Sequence, residues 1–158
     1  MNEAAWLTPE RLALADSILR SHQRAFGHPL LAGCTPDRSP RQCAQELFIA
    51  TAAVLAHDGG ADPRLIYANR TALRLWRRDW NAMVGLPSRL TAAAAERPAR
   101  ATALNQAHAQ AAISGYSGIR IDSNGRRFQI QGARVWSLRD GAGQACGQAA
   151  SFESWWWL

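Results

Sequence analysis

The chain has 158 residues, a formal net charge of +6, 47% hydrophobic residues and 19% charged residues. This length and balance predict one folded domain and exclude a disordered chain. All of its basic residues are arginine. No apolar run approaches the roughly 20 residues that a membrane-spanning helix needs. The acidic residues Glu3, Glu10 and Asp16 argue against a secretory signal peptide.

The three cysteines, Cys34, Cys43 and Cys146, are odd in number and lie in no CxxC spacing. We therefore expect no disulfide framework and a reducing compartment. Together with the absence of a targeting segment, this predicts a cytoplasmic protein that does not bind a membrane.

The first part of the chain is predicted to be helical. Thr8, followed by a proline and a glutamate, is typical of a helix start, and Gly27 of a helix end. After a loop over residues 27–38, Ser39 and Pro40 start a second helix through about Leu47.

Two short strands are predicted next. The second half of the apolar run 48–56 and the segment 64–68 flank the turn-rich sequence "HDGGADP". Asn69 then ends the second strand and caps a helix, because its side chain accepts a free backbone N–H. That helix places Leu73, Trp76 and Trp80 on one side.

The opposite side of this helix carries four arginines. They are Arg70, Arg74, Arg77 and Arg78. A solvated face and a surface for an anionic partner both explain them, and we do not expect nucleic acid as the partner.

The C-terminal part predicts a helix over 96–113 and then three antiparallel strands. The turns are "SNG" at 123–125 and "GAG" at 141–143. The middle strand, 126–140, bends near Gly132. A simple alternation puts Arg134 and Trp136 on the face of Phe128 unless a bulge at Gly132 shifts the register.

These motifs resemble a known family. The segments "HDGGADPRLIYANRTALRLW", "LPSRLTA", "YSGIRIDSNGRRF", "ARVWSL" and "GQAASF" are similar to the MEKHLA family, in its stand-alone bacterial form. The resemblance runs from about Leu12 to Trp155. The chain departs from the family at Ala56, where serine is more usual, and at Ser137, where asparagine is.

The resemblance implies an α+β, PAS-like fold. It has a five-stranded antiparallel sheet with helices on one face and an additional N-terminal helix. Residues 1–38 would then pack on the core or mediate dimers, and residues 39–158 would form the PAS-like core. The resemblance brings no established substrate or cofactor, so the cofactor stays unknown.

PAS-like domains bind ligands between the sheet and the helices, and the resemblance therefore implies a pocket there. The candidate lining residues are Tyr116, Arg120, Arg134, Trp136 and Gln148. A cavity filled by aromatic rings, with no ligand, is the alternative. The sequence contains no flavin-binding cysteine motif.

The other groups of potentially reactive side chains are better explained by structural roles than by catalysis or metal binding. His57, Asp58 and Asp62 lie in a turn, where Asp62 would cap the turn and His57 would bond across it, and we expect no metal. Ser88, Ser117 and Cys146 lie in no nucleophile elbow. We therefore predict no catalytic residues.

The predicted function is a non-catalytic sensory or regulatory module that binds a small molecule, a protein partner, or both. The alternative is an enzyme whose anionic substrate is held by Arg120 and Arg134. The terminal residues Trp155, Trp156 and Trp157 form a candidate dimer interface, because three consecutive rings cannot all face one way on a strand.

Overall fold

The computed structural model describes residues 3–34 and 37–158. The α-helices in these ranges are α1 (Pro9–Phe26), α2 (Pro40–Ile49), α3 (Arg70–Trp76), α4 (Trp80–Met83) and α5 (Arg97–Gln110). The strands are β1 (Ala53–Asp58), β2 (Leu65–Ala68), β3 (Ala112–Ile121), β4 (Arg127–Arg139), β5 (Ala145–Phe152) and β6 (Ser154–Trp157). Short 3₁₀ turns cover Ala5–Leu7, Ser88–Thr91 and Ala94–Glu96.

The strands form one antiparallel sheet in the order β2-β1-β5-β4-β3, with β6 also paired to β4. Arg134 lies opposite Ser151 and Gln131 lies opposite Ser154, so β5 and β6 keep one register along β4. They correspond to the single third strand predicted for this hairpin, interrupted near Glu153. The five-stranded PAS-like sheet is therefore confirmed.

The predicted helix starts are also confirmed. The side chains of Thr8, Ser39 and Asn69 each accept a backbone N–H in the first turn of α1, α2 and α3. Gly27 adopts a left-handed conformation with φ of 77° at the end of α1. Such a cap satisfies terminal carbonyls at no cost to a residue without a Cβ.

The helix after Asn69 is shorter than predicted. It ends at Trp76, where Arg77 turns left-handed with φ of 57°, and Asp79 then caps α4. Trp80 thus does not share a helical stripe with Leu73. Its ring instead packs near Trp6 and Phe48, on the opposite face of the sheet from Leu73. The local periodicity could not indicate this.

Helices cover both faces of the sheet, each over its own hydrophobic core. α1 and α2 pack on one face through Ile18, Leu47 and Trp136, and we call this the α1 face. On the other face, Trp76 and Phe128 are central, and we call this the cavity face. The division of the chain at residue 38 stays a prediction.

β4 changes the facing of its side chains at Gly132. Phe128, Ile130 and Ala133 belong to the core of the cavity face, whereas Trp136 belongs to that of the α1 face. Gly132 has φ of 68° and is exposed. The register shift at Gly132 that the sequence left open thus occurs, and Trp136 and Phe128 lie on opposite faces of the sheet.

Cys34 and Cys43 form a disulfide, with Cα atoms 5.6 Å apart. The expectation of no disulfide is therefore wrong for this pair. The loop after α1 folds back on α2 and brings the two residues together, which a separation of nine residues does not reveal. Cys146 is a free, exposed thiol.

None of the helices described here is both long and apolar enough to cross a membrane. At the C-terminus, Trp155 and Trp157 are partly buried on the cavity face, whereas Trp156 is 47% exposed. Arg126 stacks over Trp157 at 4.3 Å. A dimer contact through these rings stays a prediction.

Candidate functional site

A cavity of about 60 Å³ lies between the sheet and the helices of its cavity face. Its larger apolar lining residues are Leu55, Leu65, Trp76, Leu104, Ile130, Val135 and Phe152. Its polar lining residues are His57, Thr91, Arg100, Tyr116, Arg120 and Gln148. Sites for drug-sized ligands usually measure roughly 300–1,000 Å³, so this cavity suits a much smaller molecule.

The polar side chains meet here because of strand register and helix periodicity. His57 and Gln148 lie directly opposite each other on β1 and β5, so both side chains point to the same face. Tyr116 and Arg120 are four residues apart on β3, which again places them on one face. Arg100 reaches the cavity from α5, one turn before Leu104.

His57 is held by a directional chain of hydrogen bonds. The Gln148 Nε2 donates to the Leu104 carbonyl over 2.9 Å, which leaves its Oε1 to accept from His57 Nε2 over 3.1 Å. In the neutral ring His57 Nδ1 is then unprotonated, and it accepts from the Ser88 hydroxyl over 2.9 Å. Burial lowers the pKa of His57 and favours this neutral form.

Arg120 is buried and clamped at one end of the cavity. Its Nη1 donates to the Ile119 carbonyl over 2.9 Å and its Nη2 to the Tyr116 hydroxyl over 3.1 Å. Its guanidinium lies 5.5 Å from the centre of the Tyr116 ring. Cation–π contact and hydrogen bonds hold the group, and no carboxylate among the described residues forms an ion pair with it.

Arg100 is the second cation of the cavity. None of the residues described here forms a hydrogen bond or an ion pair with its side chain. Burial, and then the nearby charge of Arg120, lowers the pKa of Arg100 to about 10. The described lining residues include no Asp or Glu, so two guanidinium groups share the cavity without an acidic partner.

Three of the five predicted pocket residues line this cavity. They are Tyr116, Arg120 and Gln148. Arg134 and Trp136 instead point to the α1 face, where both contact His22. The expectation that Arg120 and Arg134 hold one substrate is therefore wrong, because the sheet separates them.

His57 and Arg100 are the site residues that sequence reasoning missed. His57 lies in β1, which ends at Asp58, two residues beyond the predicted end of the strand. It does not bond across the turn, which is capped by Asp58 through the N–H groups of Gly60 and Arg64. Arg100 precedes the buried Ala103 and Ala107 on one helical stripe, and a cation on that apolar stripe was the available signal.

The other candidate groups lie outside the cavity. Asp62 forms an exposed ion pair with Arg89, and Ser117 and Cys146 are exposed. Ser88 contacts His57 but is only 1% exposed and does not line the cavity. Within residues 3–34 and 37–158, no three His, Cys, Asp or Glu side chains are grouped to hold a metal ion.

The predicted basic face of α3 also exists. Arg70, Arg74 and Arg77 are exposed around an open surface groove that includes Trp6 and Trp80. These arginines lie outside the cavity and take no part in its geometry.

The sequence model of the MEKHLA domain family matches residues 12–157, nearly the whole chain. The chain belongs to the MEKHLA family. This confirms the resemblance carried by the strand, loop and helix motifs. A search of curated proteins found no match to this MEKHLA domain.

Solved structures similar to this MEKHLA domain are PAS and light-oxygen-voltage domains. A PAS domain from Colwellia psychrerythraea has a TM-score of 0.62 at 14% identity, covering 70% of this chain and 92% of that one. An RNA-binding light-oxygen-voltage receptor has a TM-score of 0.63 at 22% identity, covering 79% of this chain. The match spans only 35% of the receptor.

A light-oxygen-voltage domain studied with a flavin analogue has a TM-score of 0.58 at 17% identity, covering 77% of this chain and 86% of that one. At such identities the likeness shows the PAS fold alone. The cavity residues do not fit a flavin, because the space is about 60 Å³ and no cysteine is among its described lining residues.

Proposed function

We propose that this MEKHLA domain is a non-catalytic sensory or regulatory module whose cavity binds a small molecule. The observation that carries the proposal is the convergence of His57, Arg100, Arg120 and Gln148 on one small, otherwise apolar cavity. A few placed polar groups in an apolar hollow are typical of ligand sites. Aromatic rings that merely filled the core would need none of these groups.

The path of the signal is part of the proposal. Val135 lines the cavity, while its neighbours Arg134 and Trp136 on β4 contact α1 through His22. The Ser17 hydroxyl also donates to the Arg139 carbonyl over 2.7 Å at the end of the same strand. A ligand that shifts β4 would therefore change how α1 packs, and α1 or the tryptophan-rich end would pass the change to a protein partner.

A homodimer through Trp155, Trp156 and Trp157 belongs to the proposal as well. The cytoplasmic location expected from the sequence does not, because the Cys34–Cys43 disulfide argues against a reducing compartment. The oligomeric state is directly measurable by native mass spectrometry.

Catalysis by the Ser88–His57 pair is not part of the proposal. The 2.9 Å contact and the neutral imidazole resemble a nucleophile with its base. A nucleophile must reach its substrate, however, and Ser88 is buried outside the cavity. The pair is better explained as a buried polar bridge between β1 and the turn at Ser88–Thr91.

A cavity-filling variant tests the proposal. Ala150 lines the cavity on β5, and Ala150→Leu places a larger side chain into that space. Ala101→Leu, at an exposed position on α5, is the matched control. Native mass spectrometry of freshly purified wild type and Ala101→Leu should show a co-purified small molecule, and Ala150→Leu should show none. An equal ligand content in all three proteins would contradict the proposal.

A further inference from the structure

We propose that the ligand is a short-chain aliphatic carboxylate whose anionic end binds between Arg100 and Arg120. This rests on the proposed function, since it assigns the chemical class of the molecule in the same cavity. The two arginines line that cavity from different elements, Arg100 from α5 and Arg120 from β3.

The charge balance of the cavity supports an anion. Arg100 and Arg120 both line it, and none of the described lining residues is acidic. A buried charge without a counter-charge is costly, and two like charges in one small space add mutual repulsion. A bound anion would remove both costs, which explains why the cavity keeps two cations.

Free hydrogen-bond donors are available where the anion would lie. Arg120 uses only two of its five N–H groups in the bonds to Ile119 and Tyr116. The Tyr116 hydroxyl accepts one of these bonds and keeps its own proton for donation. No partner within the described ranges takes up the N–H groups of Arg100. These groups match the planar, two-oxygen geometry of a carboxylate.

Gly118 is what allows this arrangement on β3. A Cβ there would lie 2.5 Å from the Tyr116 hydroxyl and 3.0 Å from Arg120 Nη1. The bare backbone between the two side chains therefore lets them fold over the strand toward the cavity.

The size and lining of the cavity favour a carboxylate with a short apolar body. Leu55, Leu104, Ile130 and Phe152 form apolar walls, and the volume is about 60 Å³. Inorganic phosphate has no apolar part to bury against such walls. His57 adds no charge, because burial lowers its pKa and favours the neutral imidazole.

Isothermal titration calorimetry with the 158-residue protein tests the proposal directly. The probes are acetate, butyrate and hexanoate as sodium salts, with butyramide as the neutral counterpart of butyrate and inorganic phosphate as a second anion. We expect butyrate to bind more tightly than acetate and phosphate. We expect butyramide to bind at least about tenfold more weakly than butyrate, since a charge-assisted hydrogen bond is roughly twice as strong as a neutral one.

A variant pair separates binding from folding. Arg100→Gln should lower butyrate affinity about tenfold or more, and Arg100→Lys should recover part of it. Arg74→Gln, at an exposed site outside the cavity, is the matched control and should leave affinity unchanged. Unliganded Arg100→Gln should melt no lower than wild type, because it loses a partly buried charge that none of the described residues pairs.

Three results would overturn the carboxylate assignment. They are equal binding of butyrate and butyramide, tighter binding of phosphate than of butyrate, and butyrate binding that Arg100→Gln leaves intact. The proposed function is tested separately by the ligand content of Ala150→Leu, so it survives any of these results if that variant loses its co-purified molecule. If no probe binds and native mass spectrometry finds no co-purified molecule, both proposals fail together.

Discussion

Arg134 and His22 join the sheet to the N-terminal helix by a 3.0 Å contact between Arg134 Nη1 and His22 Nε2. An arginine can only donate, so His22 Nε2 must accept. The proton of His22 is therefore on Nδ1, which donates to the His28 carbonyl over 3.1 Å. The side chain of His22 is fully buried, and its ring meets Trp136 edge-on.

This contact predicts a loss of stability in acid. Burial, and then the charge of Arg134, lowers the pKa of His22 from 6.5 to about 4. As the pH falls, the unfolded chain takes up the proton before the folded protein does. The contribution of His22 to stability is thus complete above pH 6.5 and is lost as the pH falls to about 4.

Urea unfolding of wild type and His22→Gln at several pH values between 7 and 4 measures this effect. The variant keeps one acceptor and one donor at the site but does not titrate. We expect the free energy of unfolding of wild type to fall by about 1–3 kcal/mol more than that of the variant over this range. His57, whose pKa is also lowered, remains in both proteins. If the free energies of unfolding of the two proteins change in parallel with pH, His22 is not the source of the acid sensitivity.

Asn69 is more than the helix cap that the sequence predicts. Its Oδ1 accepts from the N–H groups of Ala72 and Val54, and its Nδ2 donates to the carbonyls of Leu47 and Ala52. As a cap alone, Asn69→Ala would cost about 1 kcal/mol. Since the substitution leaves several buried backbone groups without a hydrogen-bond partner, we expect the free energy of unfolding to fall by about 2–4 kcal/mol.

Asp79 supplies the matched control for this substitution. Its exposed side chain caps α4 through one bond to the Ala82 N–H, 2.8 Å long. Asp79→Ala should lower the free energy of unfolding by about 1 kcal/mol. If chemical denaturation gives equal losses for the two variants, the additional bonds of Asn69 contribute nothing.

Gly147 permits the close pairing of β5 with β1. It lies opposite Asp58, and a Cβ at this position would overlap the backbone oxygen of His57. We expect Gly147→Ala to cost about 2–4 kcal/mol, because backbone strands cannot yield as a flexible side chain can. Gly141→Ala, where a Cβ meets nothing within 4 Å, should change thermal stability little. If Gly147→Ala leaves thermal stability unchanged, β1 and β5 can move apart at this position without cost.

The disulfide between Cys34 and Cys43 closes a short loop between α1 and α2. Closing a loop of this size removes conformational freedom from the unfolded chain, worth about 2–3 kcal/mol. The double variant Cys34→Ser, Cys43→Ser should therefore melt at a lower temperature than wild type. Reducing agent should lower the melting temperature of wild type and leave that of the double variant unchanged. A melting temperature that neither treatment alters would rule out this contribution.

Local signals were sufficient for most of the elements. Thr8, Ser39 and Asn69 begin helices because a short polar side chain can accept a free N–H within its own first turn. The end of α3 at Trp76 was missed, because Arg77 adopts a left-handed conformation that only its surroundings select. Tyr116, Arg120 and Gln148 were placed in the cavity by analogy to the PAS fold.

By itself, the sequence determined the family, the order of the elements and the helix starts, because these depend on residues close together in the chain. Only the tertiary structure decided which residues share a site. Gly132 turns Arg134 and Trp136 to the α1 face, strand register pairs His57 with Gln148, and α5 brings Arg100 to Arg120. Each of these depends on contacts between distant segments, which a one-dimensional pattern does not encode.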